Sequence, residues 1–254
     1  MSMRICCAQI SQEYEDIDTA FVRAEEYLAS ASADMVVFCE QYATGWRTTP
    51  SASDAEEIKS RWLSLAKKYA VCLVGSYQKP AGDKPQNVML VCSPEGEVLA
   101  EYAKMHLFSP GGEDAGFSAG TAPVCFEFGG MKFGCAVCFD LRFPEVFREY
   151  LKEGAHCVIV QAAWPAARVA DWELLLRARA LENRGYVIGC GCIGYDSLTG
   201  TDYCGRSMVC NFEGRVIEDA GVFEGGVEWD VDSEEAVFGV LEMREKWALD
   251  SFAP

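Results

Sequence analysis

The sequence predicts an α/β fold in which mixed β-sheets are covered by helices, and three observations support this. Continuous apolar runs over 35–39 and 157–161 are typical of strands that are covered on both faces. Segments with apolar residues at helical spacing alternate with these strands. Hairpins are interleaved between them, which indicates mixed sheets with helices outside. The many two-sided apolar strands suit two sheets that pack face to face.

Strand and helix signals alternate through the first half of the chain. Residues 3–10 predict a strand, 16–30 a helix, and 35–39 a strand that ends at Glu40. Ser53-Asp54-Ala55-Glu56 has the form of a capping box, so we expect a helix from there to about Tyr69. The remaining elements of this half are a strand over 71–76 and a hairpin of 87–93 and 97–103, with Lys104 at its end.

The second half repeats this alternation. A hairpin of 124–128 and 131–137 turns at Gly129-Gly130 and leads directly to Cys138. The helix that follows begins near Pro144, which a first helical turn tolerates, and ends at Gly154. The remaining expected elements are a strand over 157–161, a helix over 169–184, a strand over 186–190, a hairpin of 207–210 and 215–218, a strand near 227–231 and a last helix.

Length and composition favour a single cytoplasmic domain. No linker, composition shift or repeat divides the 254 residues, and an α/β domain often reaches this size. Thirteen cysteines lie mainly in apolar runs, which indicates reduced core residues. We expect no signal peptide and no membrane span. The net charge of −17 argues against nucleic acid and anionic membrane as partners, so an anionic substrate would need basic residues in its pocket.

Three polar residues, Glu40, Lys104 and Cys138, stand at the ends of predicted strands. Strand ends are where open α/β folds place their chemistry. A carboxylate, an amine and a thiol in one pocket would supply a base, a cationic partner for an oxyanion and a nucleophile, which suits acyl transfer. Taken alone, each residue is better explained by a structural role, since most cysteines are buried hydrophobes and most strand-terminal charges are solvated; the coincidence of all three favours a site.

Five segments resemble the nitrilase, or carbon–nitrogen hydrolase, superfamily. Its three catalytic segments are similar, in order, to residues 38–40, 102–108 and 138–145. Residues 112–120 resemble the loop that carries a second glutamate, and residues 163–183 resemble the long helix after the nucleophile. The similarity runs over about residues 3–232. The short length and the Lys-x-His-Leu-Phe segment are most similar to the ω-amidase-like branch.

The resemblance implies a four-layer αββα sandwich with two mixed sheets, and a hydrolase without metal or cofactor that forms at least a homodimer. Carried onto this sequence, Cys138 is the nucleophile and Glu40 the general base. Lys104 and the backbone N–H of Phe139 stabilise the oxyanion, and Glu113 orients Lys104 and is a candidate to assist proton transfer. Candidate substrate-pocket residues in or next to these segments are Tyr42, His106, Arg142 and Trp164.

The implied reaction is hydrolysis of the terminal carboxamide of a small substrate through a thioester, and an ω-amidase acting on a dicarboxylate monoamide is the leading case. A nitrilase and a carbamoyl-amine hydrolase stay open as alternatives. A non-catalytic ligand-binding or regulatory protein on the same fold is the alternative from another class. Its only support is three departures from the family pattern: Gly191, Cys192 and Arg206. These departures, together with Asp171, leave the substrate open.

Other motifs are better explained without a function. Cys135-x-x-Cys138 has redox-motif spacing, but its first cysteine lies in an apolar strand and no second pair exists for zinc. Residues 189–194 match G-x-G-x-x-G, yet a turn-rich stretch follows instead of a helix. His106 is interpreted as a structural histidine. Three helical arginines are interpreted as a solvated face or as partners for the acidic surface, in preference to ligand contacts: Arg177, Arg179 and Arg184.

Overall fold

Two six-stranded mixed sheets form the centre of the molecule. The structure, a computed structural model, describes residues 2–11, 16–46, 52–197 and 199–249. The strands are β1 (Ser2–Gln9), β2 (Met35–Val37), β3 (Cys72–Lys79), β4 (Gln86–Cys92), β5 (Val98–Ala103), β6 (Cys125–Phe128), β7 (Met131–Val137), β8 (Cys157–Ala162), β9 (Tyr186–Gly191), β10 (Ile193–Asp196), β11 (Thr201–Cys204), β12 (Met208–Cys210), β13 (Val216–Asp219) and β14 (Gly225–Asp232).

The described residues form helices between and after the strands. They are α1 (Ile17–Ser30), α2 (Ala52–Tyr69), α3 (Glu113–Gly116), α4 (Pro144–Lys152), α5 (Val169–Asn183) and α6 (Ser233–Lys246). Short 3-10 turns cover Ser109–Gly111, Cys138–Arg142 and Ala166–Arg168. None of these described helices is long and apolar enough to cross a bilayer.

The two sheets share one plan. The first has the strand order β14-β1-β2-β3-β4-β5, and the second has the order β13-β12-β9-β8-β7-β6. In each sheet three neighbouring strands are parallel, β1–β3 in the first and β7–β9 in the second. Parallel neighbours need crossover connections, and α1, α2, α4 and α5 supply them. A separate hairpin consists of β10 and β11.

Side chains from the second sheet hydrogen-bond backbone groups of the first, so the sheets pack face to face. Gln161 of β8 donates through Nε2 to the carbonyls of Phe38 (2.7 Å) and Val74 (3.2 Å). Cys190 of β9 donates through Sγ to the carbonyl of Val37 at 3.2 Å. These polar side chains are buried and find their partners in the opposite sheet.

Glycines on the outer face of each sheet let helix side chains approach the strands closely. A Cβ on Gly75 of β3 would lie 2.7 Å from the Trp62 ring of α2. A Cβ on Gly134 of β7 would lie 2.6 Å from the Tyr150 ring of α4. The helices therefore cover the outer faces of the paired sheets, which confirms the four-layer αββα sandwich with two mixed sheets.

The element boundaries differ from the predicted ones in a few places. Strand β2 ends at Val37, two residues before the predicted end. Helix α2 begins at Ala52, so the predicted capping box lies inside its first turn, and the side chain of Ser53 lies outside the described residues. The sequence interpretation missed the β10–β11 hairpin, because two four-residue strands give too short a pattern.

Candidate active site

Four polar side chains from separate elements meet between the sheets. Glu40 follows β2, Lys104 follows β5, Glu113 begins α3 and Cys138 follows β7. All four are buried. The structure thus brings together the three residues that the sequence singled out at strand ends and Glu113, which the family resemblance implied.

Lys104 is surrounded by carboxylate oxygens. Its Nζ lies 2.9 Å from Oε1 of Glu40, and 3.0 and 2.8 Å from Oε1 and Oε2 of Glu113. An ammonium group has three N–H donors, so all three have a carboxylate partner. Burial alone lowers the pKa of Lys104, but the charges of Glu40, Cys138 and Glu113 raise that pKa above its ordinary value. The side chain is therefore a fixed cation.

Glu40 is held at both oxygens. Its Oε1 accepts from Lys104 and from Nδ2 of Asn87 at 2.8 Å, while Oε2 accepts from the backbone N–H of Ala163 at 2.9 Å. The thiol of Cys138 also hydrogen-bonds this carboxylate. An oriented carboxylate beside a thiol has the geometry of a general base and its nucleophile.

The Cys138 thiol stays protonated in the resting site. Burial raises its pKa well above the ordinary value, the charge of Glu40 raises it further, and Lys104 lowers it. Proton removal at neutral pH therefore depends on a base, and Glu40 is the carboxylate that the thiol contacts.

The turn that carries Cys138 is fixed by a buried aspartate. The backbone of Cys138 is left-handed, with φ at 48°. Asp140, two residues on, accepts from the backbone N–H of Val137 (3.0 Å) and from the hydroxyl of Tyr102 (2.8 Å). The N–H of Phe139 lies in the first turn of this 3-10 segment, where no intrahelical acceptor is available.

A cavity of about 410 Å³ opens beside this cluster, and Glu113, Cys138 and Phe139 line it. Its wall is mainly apolar and rich in aromatic side chains, which suits a small organic ligand with few polar groups to fix its orientation. The other aromatic residues of the wall are Trp46, Phe108, Phe117, Trp164 and Tyr203.

Two arginines give the cavity a positive side. Arg142 is paired through Nη2 with Oδ2 of Asp171 at 2.6 Å. Arg168 is exposed, and its guanidinium lies 5.3 Å from the centre of the Phe108 ring. Within the described ranges no carboxylate pairs with Arg168. A substrate carboxylate could therefore bind Arg168 without displacing a protein partner.

The four candidate pocket residues separate into two groups. Arg142 and Trp164 line the cavity. Tyr42 and His106 do not line the cavity, so they are not pocket residues. Gln41 has a left-handed φ of 55°, and beyond it the Tyr42 ring packs in the core with its hydroxyl donating to Ala20. His106 lies 2.9 Å through Nδ1 from Asp140, which agrees with a structural histidine.

The sequence did not predict two residues that support the site. Asn87 of β4 donates through Nδ2 to Glu40 and, at 3.1 Å, to Oε1 of Glu113. Arg179 is buried and donates through Nε to the carbonyl of Leu141 at 3.0 Å, so it is not part of a solvated face, although its Nη1 pairs with the Glu182 carboxylate at 3.0 Å. The strand pattern showed Asn87 only as a polar residue at the start of an apolar run.

The departures from the family pattern have structural partners. Asp171 pairs with Arg142, as described above. A Cβ on Gly191 would lie 2.3 Å from the carbonyl oxygen of Gly205, so this position requires glycine. Arg206 pairs with Glu173 (2.6 Å) and Asp219 (2.8 Å). Cys192 is buried, and its Sγ lies 3.7 Å from the carbonyl oxygen of Ile193.

The part of the chain that the structure describes contains no group of three or more His, Cys, Asp or Glu side chains arranged to hold a metal ion. The polar cluster itself consists of two carboxylates, an ammonium group and a thiol. These groups hydrogen-bond one another within the cluster.

Comparisons with known proteins point to one family. The family model for carbon–nitrogen hydrolases matches residues 4–236. The chain is 33% identical over 243 residues to the 2-oxoglutaramate amidase of Bacillus subtilis (strain 168), covering 93% of each protein. It is 33% identical over 216 residues to omega-amidase YafV of Escherichia coli (strain K12), covering 84% of this chain and 82% of the relative.

A solved structure is similar over nearly the full length. It is a mutant of the amidase from Nesterenkonia sp. AN1, with a TM-score of 0.86 and 26% identity, and the match covers 96% of each chain. That structure shows covalent addition of the acetamide moiety of fluoroacetamide at the active site cysteine.

Proposed function

The chain belongs to the carbon–nitrogen hydrolase family and is a hydrolytic amidase, and we propose that it is an ω-amidase whose thioester forms on Cys138. The observation that carries this proposal is the buried cluster in which Lys104 binds two carboxylates beside the thiol. A structural core gains nothing from such a set, because each buried charge must be compensated.

In the first half of the proposed reaction, Glu40 takes the thiol proton while Sγ of Cys138 attacks the amide carbon. The carbonyl oxygen becomes an oxyanion, which Lys104 and the backbone N–H of Phe139 stabilise. The carbon–nitrogen bond then breaks, and Glu40 gives its proton to the leaving nitrogen, so that ammonia departs and the acyl group stays on sulfur.

In the second half, Glu40 takes a proton from water, and the resulting hydroxide attacks the thioester carbon. A second oxyanion forms at the same place and is stabilised by the same donors. The carbon–sulfur bond breaks, the carboxylic acid leaves, and the sulfur recovers a proton from Glu40. Glu113 does not exchange protons in this scheme: its two oxygens hold Lys104 in place.

The proposed substrate is a dicarboxylate monoamide, in which one end is the amide and the other a carboxylate. Arg168 supplies a guanidinium without a carboxylate partner in the described residues, at the wall of the cavity that contains Cys138. In a chain with a net charge of −17, a local cation is needed for an anion to enter. The B. subtilis relative, named for 2-oxoglutaramate, and the omega-amidase of E. coli support the same substrate class.

Ammonia release from a panel of amides tests this proposal. The wild-type protein is given 2-oxoglutaramate, succinamate and the neutral butyramide, with Cys138→Ala as the blank. We expect preference for the two acidic amides, and we expect Arg168→Gln to raise their KM about tenfold or more while leaving KM for butyramide unchanged.

The control for this panel is Arg215→Gln, which removes an exposed arginine on a different strand connection and should leave every KM unchanged. Release from butyramide alone would discard the dicarboxylate substrate and keep the amidase. An equal loss of activity toward all three amides in Arg168→Gln would assign Arg168 to the structure of the cavity wall.

A further inference from the structure

Asn87 contacts both glutamates of the site, and no step of the proposed reaction uses it. We propose that Asn87 is a positioning residue, which keeps Glu40 and Glu113 hydrogen-bonded while Lys104 turns one N–H toward the oxyanion. This inference rests on the proposed roles of Glu40 and Lys104.

The donors of Lys104 are fully engaged before substrate arrives. Its three N–H groups meet one oxygen of Glu40 and both oxygens of Glu113. A hydrogen bond from Lys104 to an oxyanion therefore requires that one of these three contacts be given up. Without a second donor, the carboxylate oxygen that Lys104 releases would lose its hydrogen bond in a buried site, which would raise the energy of the transition state.

Asn87 donates hydrogen bonds to two of the oxygens that Lys104 also contacts. Its Nδ2 lies 2.8 Å from Oε1 of Glu40 and 3.1 Å from Oε1 of Glu113. Each of these oxygens is also within 3.0 Å of Nζ of Lys104. When Lys104 gives up either of them, Asn87 still donates to it. The amide supplies both hydrogen bonds without adding charge to a cluster that already contains two carboxylates.

The Oδ1 atom of Asn87 indicates that a contribution to stability does not account for an asparagine at this position. Oδ1 is buried and has no hydrogen-bond partner among the described residues. An unpaired buried acceptor destabilises a fold, so a residue chosen for stability alone would not leave one. The reverse orientation is excluded, because it would place Oδ1 against two carboxylate oxygens.

The test replaces the amide by an acid and by an apolar group. The titratable groups that face the position are Glu40 after β2, Lys104 after β5, Glu113 in α3 and Cys138 after β7. In Asn87→Asp an ionised carboxylate repels both glutamates, whereas its protonated form donates one hydrogen bond. Asn87→Leu has nearly the same size and donates none.

We expect Asn87→Asp to lower kcat about 100-fold near pH 8 with KM within about threefold of the wild-type value. Relative to wild type, its kcat should recover about tenfold as the pH falls to about 6, because the introduced carboxyl becomes protonated. Asn87→Leu should lower kcat without any such recovery. A ratio of variant to wild-type kcat that does not change with pH in Asn87→Asp would overturn the proposal, as would a kcat of either variant within about twofold of wild type.

The control for the exchange is Gln86→Glu, which makes the same amide-to-acid change at the preceding residue, where the side chain bonds the Ala119 carbonyl outside the site. It should leave kcat and its pH profile unchanged. Thermal unfolding of each variant is followed at both pH values. If Asn87→Asp folds only at the lower pH, the charge repulsion is shown directly; failure to fold at both values would assign Asn87 to packing and overturn the proposal.

Failure of this inference is distinguishable from failure of the proposed function. Cys138→Ala and Glu40→Gln are assayed beside the Asn87 variants on the amide that wild type hydrolyses fastest. If both are inactive while Asn87→Asp is normal, only the role of Asn87 is lost. If either keeps turnover near wild type, the proposed reaction itself is wrong.

Discussion

At the scale of single residues, the site depends on a strained cysteine that is not ionised at rest. A non-glycine residue at a φ of 48° costs on the order of 1–3 kcal/mol, and such strain persists only where neighbours enforce it. Here Asp140 fixes the turn by accepting hydrogen bonds from the backbone N–H of Val137 and the hydroxyl of Tyr102. As a result, Cys138 and the next residue, Phe139, both line the cavity.

The charge of the thiol is decided by its surroundings. Burial and Glu40 raise its pKa, so in the proposed reaction Cys138 reacts through proton transfer to Glu40 and not as a standing thiolate. The fixed cation of Lys104 compensates part of the charge that the two glutamates bring. The proposed reaction thus shifts one proton within a cluster whose charges are otherwise set by the fold.

At the scale of elements, helix α5 supports the nucleophile turn from outside the sheet. Arg179 donates to the carbonyl of Leu141, which lies in the turn that begins at Cys138. Its guanidinium also lies over the Phe147 ring of α4 at 5.6 Å. One arginine therefore ties two helices to the turn that positions the thiol.

Arg179→Lys is expected to lower kcat about tenfold and Tm by about 2–4 °C, because an ammonium on a flexible stem cannot keep the planar geometry of the guanidinium. Steady-state kinetics and thermal unfolding measure the two effects. Arg177→Lys, two residues away on the same helix, loses a contact with Gly214 outside the site and should leave kcat unchanged. A kcat of Arg179→Lys within twofold of wild type would show that the turn needs no support from α5.

The elements also show what sequence patterns could predict. Long apolar runs and hairpin turns located β2, β4, β5, β7 and β8, and strand ends marked Glu40, Lys104 and Cys138. Asn87 and Arg179 were missed for a physical reason: each acts across an interface between elements, and the period of one strand or helix does not show which neighbour a polar side chain meets. Tyr42 was misplaced because the left-handed Gln41 turns the chain away from the cavity.

At the scale of the whole molecule, the reduced cysteines couple the fold to pH. Burial raises the pKa of the Cys6, Cys92 and Cys210 thiols to about 12, the last two against the lowering effects of Lys59 and Arg177. These thiols stay protonated in the folded state, while an unfolded chain releases their protons from about pH 8.5.

The expectations of a single domain, a cytoplasmic location and a homodimer stay predictions.

The fold should therefore lose stability as the pH rises above about 8.5 and should be insensitive to these thiols below it. A thiol whose pKa is raised by folding makes its full contribution to stability below the pKa of the unfolded chain. That contribution is lost as the pH rises from there to the folded pKa of about 12. Each thiol lowers the free energy of unfolding by at most about 1.4 kcal/mol per pH unit in this range, and less where solvent reaches it. Thermal unfolding under reducing conditions from pH 7 to about 10 measures this, and a constant Tm over that range would contradict it.

The central claim, that Cys138 is the nucleophile of an amidase, is tested most directly by the initial rate of ammonia release from Cys138→Ala and Cys125→Ala. Cys125 lies on β6 and is only partly buried, so it is a matched cysteine outside the site. We expect the rate of Cys138→Ala to fall about 1,000-fold or more with an unchanged Tm, and that of Cys125→Ala to equal wild type. A Cys138→Ala protein that folds and keeps its rate within about tenfold of wild type would contradict the account.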